Sequence, residues 1–144
     1  EEAVVYRSVM TVLHRIPGPR GGKPKPERQE VELAEYRSFD VPADTGRRYA
    51  MVGKDFNPIH LTSASARLFG FKRAIAHGMW SLARCTSLLQ EKMSTEPREL
   101  HVQFKQPLFL PGKVTLKFLA TDGQAEFMLL ARNSDKVHLA GSLR

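Results

Sequence analysis

With 144 residues, 42% of them apolar, the chain has the size of one domain around one core and is too apolar to be disordered. No apolar run approaches the roughly 18 residues of a membrane-spanning helix, and Glu1-Glu2-Ala3 does not resemble a secretory signal. The net charge of +7 is concentrated at Arg15, Arg20, Lys23, Lys25 and Arg28 in one Pro/Gly-rich stretch, and the remainder is scattered. Without a basic helix face or aromatic-basic interleaving, it argues against a nucleic-acid partner and suits either a solvated surface or attraction for an anionic ligand.

Residues 3–15, rich in Val, Tyr and Thr, predict a strand. The segment 16–30 is a linker, because its prolines and glycines forbid a regular element. Val31, Leu33 and Phe39 share one parity and predict a half-buried strand to Val41, which Pro42 stops. Asp44 or Thr45 then caps a short helix through Met51. Residues 54–60 are expected to be irregular, since Pro58 removes an amide and restricts Asn57. Thr62 is the expected cap of a one- to two-turn helix ending at Gly70.

The strongest helix signal runs from His77 to Met93. Met79, Leu82, Thr86, Leu89 and Met93 recur at spacings of three and four and make one apolar stripe, which Ala83 and Leu88 widen. Cys85, the lone cysteine, excludes an internal disulfide, fits a reducing compartment such as the cytoplasm, and reads as a small core residue of that helix. From Glu99 the period becomes two. Leu100, Val102 and Phe104 share a face, as do Val114, Leu116, Phe118 and Ala120; Phe127, Leu129 and Ala131; and Val137, Leu139 and Gly141. Asp122-Gly123 and Asn133-Ser134-Asp135 mark turns. The C-terminal third is therefore expected to be an antiparallel meander packed on the long helix, an α+β arrangement.

Chemistry concentrates in Tyr49-Ala50-Met51-Val52-Gly53-Lys54-Asp55-Phe56-Asn57-Pro58-Ile59-His60, which places a carboxylate, a carboxamide and an imidazole close together on irregular backbone. Such residues alone also suit a turn followed by a surface histidine. When Asp55 and His60 converge on one water they form a general acid/base pair. Asn57 orders the loop through backbone bonds and Pro58 stiffens it. The next segment, Gly70-Phe71-Lys72-Arg73-Ala74-Ile75-Ala76-His77-Gly78-Met79, leads into the long helix. Gly78 sits at the helix start, where open amides and the helix dipole favour developing negative charge. Acid/base groups beside an oxyanion site are the minimum set for enolate chemistry.

These two segments, in this order and at this separation, closely resemble the MaoC-like dehydratases, or (R)-specific enoyl-CoA hydratases (the hydratase 2 group). The close match covers about Gly46 to Arg84. The resemblance implies a hotdog fold, a long central helix wrapped by a curved antiparallel sheet. It implies hydration of a trans-2-enoyl thioester of coenzyme A or a carrier protein to the (R)-3-hydroxyacyl thioester, or the reverse. Asp55 and His60 match the catalytic pair, Asn57 the motif asparagine, and Gly78 the glycine whose amide polarises the thioester carbonyl. His77 belongs to the motif in a supporting role. The acyl chain would lie along the helix near Trp80, Ala83 and Arg84. No metal or redox cofactor is implied; a His60–His77 metal pair lacks a well-spaced third ligand in the sequence.

The chain departs from the family at Gly53-Lys54, where Ser-Gly usually precedes the aspartate. Lys54 pointing inward would hold Asp55 ionised; pointing to solvent, the expected orientation, it changes nothing. Some members of the family are tandem, a degenerate hotdog followed by a catalytic one. On that pattern residues 1–30 are the last strand of a preceding half with its linker, and 31–144 are the MaoC-like domain. The absent initiating Met fits a trimmed or partial chain, and a lone hotdog sheet leaves an edge to cover. A homodimer or a second hotdog domain is thus expected. The rival functions are a hotdog thioesterase and a non-catalytic acyl-CoA-binding subunit.

Overall fold

Strict alternation along Val114, Leu116 and Phe118, and along Phe127, Leu129 and Ala131, turns one face of two neighbouring strands apolar and makes them the centre of a sheet. The computed structural model describes residues 7–11, 33–93, 97–121 and 123–144. Among these, β1 (Ala34–Val41), β2 (Leu100–Phe104), β3 (Gly112–Thr121), β4 (Gln124–Ala131) and β5 (Val137–Leu143) form an antiparallel sheet in the order β1-β3-β4-β5-β2. Register shifts at Glu35/Arg37 and Leu129/Leu130 bend the β1–β3 and β4–β5 ladders. Four helices precede the last four strands: α1 (Thr45–Gly53), α2 (Pro58–Leu61), α3 (Ser63–Leu68) and α4 (Gly78–Gln90). Leu82, Cys85, Leu88 and Leu89 of α4 pack on Val114, Leu116, Phe127, Leu129, Leu139 and Leu143 of the sheet. This is the expected hotdog architecture.

Three expectations change. The meander holds for β3–β5 only: β3 meets β4 up to Thr121↔Gln124, and Asn133, at φ 60°, turns β4 into β5. β2 instead pairs with β5, from Leu100↔Leu143 to Phe104↔Leu139, so residues 105–111 carry the chain across to β3. That connection has its own anchors. Leu108 and Leu110 are buried; the Ala76 amide donates to the Leu108 carbonyl at 2.8 Å and the Leu110 amide to the Ala74 carbonyl at 2.8 Å.

The long helix starts at Gly78 with His77 as its cap residue and stops at Gln90, short of Met93. Its buried face is Ser81, Leu82, Cys85, Leu88 and Leu89, whereas Met79 is exposed. The sheet therefore selects a stripe rotated from the predicted one, with Cys85 fully buried and its thiol pushed up to about 12 by that burial. Finally, residues 54–60 are not wholly irregular: Pro58 opens the single turn α2, at a position where its missing amide costs nothing.

Other expectations are met or lie elsewhere. α1 runs two residues past Met51, and Asp44 occupies its cap position without a side-chain bond. Thr62 caps α3 by accepting from the Ser65 amide at 3.0 Å, and Gly70 takes φ 83° just beyond it. Residues 7–11, however, are exposed and form no strand, so the strand expected over 3–15 is not found in its described part. The rest of the predicted N-terminal strand, the linker 16–30, Val31 and Asp122 lie outside the described residues.

Candidate active site

The site begins with a chain reversal. α1 ends in a left-handed residue, Lys54 at φ 55°, whose side chain is exposed. Asp55 follows, and its Oδ1 accepts the Asn57 amide at 3.1 Å. Asn57 repeats the device one step on: its Oδ1 accepts the Ile59 amide at 3.3 Å and caps α2. Two short polar side chains thus fix the backbone from 55 to 60. His60, one residue before the end of α2, is turned inward and buried.

The strand-like segment 74–76 receives it. His60 Nδ1 donates to the Ile75 carbonyl at 2.8 Å, while the Ile75 amide donates to the Ile59 carbonyl at 3.1 Å. Holding Nδ1–H in this way leaves Nε2 with the lone pair. Burial pushes the His60 pKa below its ordinary 6.5; the Ile75 carbonyl opposes this, His77 lowers it further and Asp55 raises it. The net result is a neutral imidazole at pH 7 with one free basic nitrogen.

His77 completes the cluster. It is buried at the start of α4, and its Nε2 donates to the Asp55 carbonyl at 2.9 Å, with Asp55 Oδ2 3.8 Å from the same nitrogen. Its ring stacks on His60 at 3.7 Å and meets the Tyr49 ring at 4.9 Å. One donor atom each from Asp55, His60 and His77 lies within 4.8 Å of the others. Two hydrogen bonds to one water span roughly 4.5–5 Å, so the carboxylate and a ring nitrogen are spaced for a shared water. A metal suits this trio poorly. Stacked rings carry their in-plane lone pairs side by side rather than toward one centre.

Gly78 is the first residue of α4, and no side chain caps that helix. Its first-turn amides therefore lack intrahelical acceptors. A Cβ at Gly78 would come within 2.9 Å of the Phe104 ring of β2. The expected substrate residues are more dispersed. Trp80 packs against the core, Ala83 is exposed, and Arg84 lays its guanidinium over Phe39 at 5.6 Å. Arg84 stands roughly 9 Å along the helix axis from Gly78.

Sequence reasoning gave no role to Tyr49, Ile75 or Phe104. Tyr49 sits one turn before Gly53 on α1, a spacing that could have placed it beside the motif. Ile75 acts through its carbonyl, which no residue type announces. Phe104 was read only as part of an apolar face.

The chain resembles known proteins over nearly its whole length. A family model for the MaoC-like domain matches residues 21–139. The 3-hydroxyacyl-thioester dehydratase X of Mycobacterium tuberculosis is 33% identical over 144 residues, 98% of this chain and 51% of that protein. The (R)-specific enoyl-CoA hydratase of Aeromonas caviae is 32% identical over 76 residues, 51% of this chain and 57% of that protein. The chain thus spans about half the length of the curated relatives it matches. Among solved structures, M. tuberculosis HtdX superposes with a TM-score of 0.68 at 31% identity, covering 77% of this chain and 47% of HtdX. The A. caviae (R)-hydratase superposes with a TM-score of 0.65 at 23% identity over 81% of this chain and 96% of that one, a likeness of fold.

Proposed function

The chain belongs to the MaoC-like domain family, and from that premise we propose that it carries the Asp55/His60 centre of a hydro-lyase interconverting trans-2-enoyl and (R)-3-hydroxyacyl thioesters. The observation that carries this reading is the pairing of a neutral, backbone-anchored imidazole with a carboxylate whose ligand atoms lie within 4.8 Å of each other, close enough for one water to bond both. In hydration, the centre takes one proton from the water as its oxygen bonds C3, and returns one proton to C2. Water adds across the double bond and the protein's protonation is unchanged. Charge accumulates meanwhile on the thioester oxygen. The Gly78 amide, at the open start of α4, is the donor for it, and loss of such a donor costs about 3–4 kcal/mol of barrier. Asn57 and His77 hold the pair in place rather than exchange protons. The reaction draws on no group beyond the coenzyme A or carrier that bears the substrate.

The same reading includes a second hotdog unit, either another copy or the other half of a longer polypeptide. The Asp55 side chain is 54% exposed. Beside it and Gly78, large apolar side chains face outward: Phe56, Met79, and Phe104 on the free edge of β2. A covering unit would bury these and exclude water from the centre. The double length of the M. tuberculosis relative supports this.

The test is loss of conjugated enoyl absorbance from short and long trans-2-enoyl-CoA, with the configuration of the product determined. Asp55→Asn and His60→Ala are each expected to lower turnover by about 10²–10⁴-fold. Full activity in a folded His60→Ala protein would sink the mechanism. Release of free coenzyme A without hydration would assign a thioesterase, and binding without turnover a non-catalytic unit.

A further inference from the structure

Where β1 ends and β3 begins, the loop 107–111 borders an open pocket of about 610 Å³, a size suited to a small organic ligand. Neither Asp55, His60, His77 nor Gly78 lines it, so it is separate from the acid/base centre. Arg73, Lys113, Arg132 and Lys136 line it, against Asp40 as the carboxylate among the described lining residues. Asp40 Oδ1 accepts from Arg132 Nη2 at 3.0 Å, which leaves the other three cations in excess. The Arg73 guanidinium lies over the Phe109 ring at 5.9 Å, and that ring belongs to an otherwise apolar wall.

Two of the lining residues, His138 and Arg132, also carry buried polar atoms without partners among the described residues. His138 is only 7% exposed. Its Nδ1 donates to the Gln106 carbonyl at 3.2 Å, which leaves Nε2 at the other end of the ring buried, with no partner among the described residues. Arg132 Nε is likewise buried and unpartnered. Buried polar nitrogens normally have partners, because leaving one unmade costs about 1–3 kcal/mol. Arg132 Nε is a donor and His138 Nε2 becomes one on protonation, so two such residues lining one cationic, partly apolar pocket suit a ligand with acceptor oxygens and an apolar body.

We propose that this pocket is a second binding site, for a phosphorylated ligand, with Arg132 and His138 bonding the phosphate oxygens, Lys113 and Lys136 supplying charge, and the Phe109 wall holding the apolar part. The ligand's charge compensates that of a protonated His138, whose Nε2–H then donates. Without it, burial and Lys136 hold the His138 pKa below its ordinary 6.5, with the Gln106 carbonyl opposing. The other charges around the pocket, Arg73, Lys113 and Arg132 against Asp40, act in the same direction as Lys136 on balance. The ligand chemistry has two sources, the phosphorylated nucleotide end of coenzyme A or an independent phosphate compound. The proposal does not rest on hydratase activity, and its test needs no turnover.

The experiment is calorimetric titration of the full chain at low salt with adenosine 3′,5′-bisphosphate, coenzyme A and inorganic phosphate. Sulfate serves for the pH arm, because its charge is constant between pH 6 and 8. Saturable binding is expected, weakened about tenfold or more in Arg132→Gln and also in the exposed pair Lys113→Glu/Lys136→Glu, whose folding does not depend on a buried group. Sulfate is expected to bind more tightly at pH 6 than at pH 8 in the native protein and to lose that dependence in His138→Gln. The bisphosphate and coenzyme A binding alike, with phosphate weaker, identifies the nucleotide end; phosphate binding as tightly identifies a free phosphate. No saturable binding, affinities unchanged in the Arg132 and lysine variants, or a pH dependence that persists in His138→Gln overturns the proposal.

Discussion

The imidazoles of His60 and His77 lie face to face, 3.7 Å between centroids and 27° between planes, and each gives one N–H to a backbone carbonyl from the other's neighbourhood. His60 grips Ile75, two residues before His77, and His77 grips Asp55, five residues before His60. Each ring thereby fixes the chain that carries its partner.

Two imidazolium rings cannot stack at this distance without strong repulsion, so His77 helps to keep His60 neutral. In His77→Gln that influence is gone. The acid limb of the kcat/KM profile is expected to move to higher pH, because His60 then protonates more readily and is lost as a base sooner as pH falls. Loss of the Asp55 anchor should also lower kcat about tenfold. A pH–rate series on enoyl-CoA checks both; an unmoved limb would show that the stack is structural only.

Lys54 occupies a left-handed conformation at φ 55°, which an L side chain adopts at a cost of about 1–2 kcal/mol. The family's usual glycine at this position avoids that cost. Lys54→Gly is expected to raise stability by about 1 kcal/mol, read as a shift in the urea midpoint, with turnover little changed because the lysine side chain is exposed.

Gly78→Ala separates packing from chemistry. The added Cβ meets the Phe104 ring, which is half-exposed at 51% and free to swing aside. The melting temperature should therefore change by no more than about 3 °C, while turnover falls at least about tenfold as the methyl crowds the thioester oxygen. The backbone amide is present in both proteins, so normal activity would show that the thioester oxygen does not pass close enough to residue 78 for a methyl to crowd it.

Acid should weaken the fold through two histidines. Burial lowers the pKa of both His60 and His138 in the folded chain. The unfolded chain takes up these protons as pH falls through 6.5, and the folded chain resists them until lower pH. Stability from this source is complete above 6.5 and is lost as pH drops toward the folded values. Urea midpoints followed by the fluorescence of Trp80, the single tryptophan, should be flat from pH 7 to 8 and decline below 6.5. His138→Gln should lessen the decline.

Much of the candidate site was legible in the sequence because its polar side chains lie close together along the chain. Asp55, Asn57, His60, His77 and Gly78 all fall within two short segments, and the structure brings them together. The illegible parts have physical reasons. The carbonyl of Ile75 has no signature in residue type. Strand order depends on which edges meet, and periodicity within Leu100–Phe104 says only that one face is apolar. The buried face of α4 leaves out Met79, which is as apolar on paper as the buried Leu88, because only the sheet decides how much of a broad stripe is covered. Pro58 marks a helix start as readily as a break, and its position after a capping Asn57 was the clue.

The placement of β2 at the sheet edge, bonded among the described residues to β5 alone, has a consequence for how the polypeptide emerges during synthesis. Leu100 leaves the ribosome more than forty residues ahead of its partner Leu143. At about 5–20 residues per second, that apolar strand waits some seconds for the last one before it can dock. The seating of Phe104 beside Gly78 is therefore completed only once β5 has been made. A nascent chain stalled before Val137 would hold Asp55 and His60 in sequence yet present an open, sticky edge, a natural substrate for chaperones and proteases.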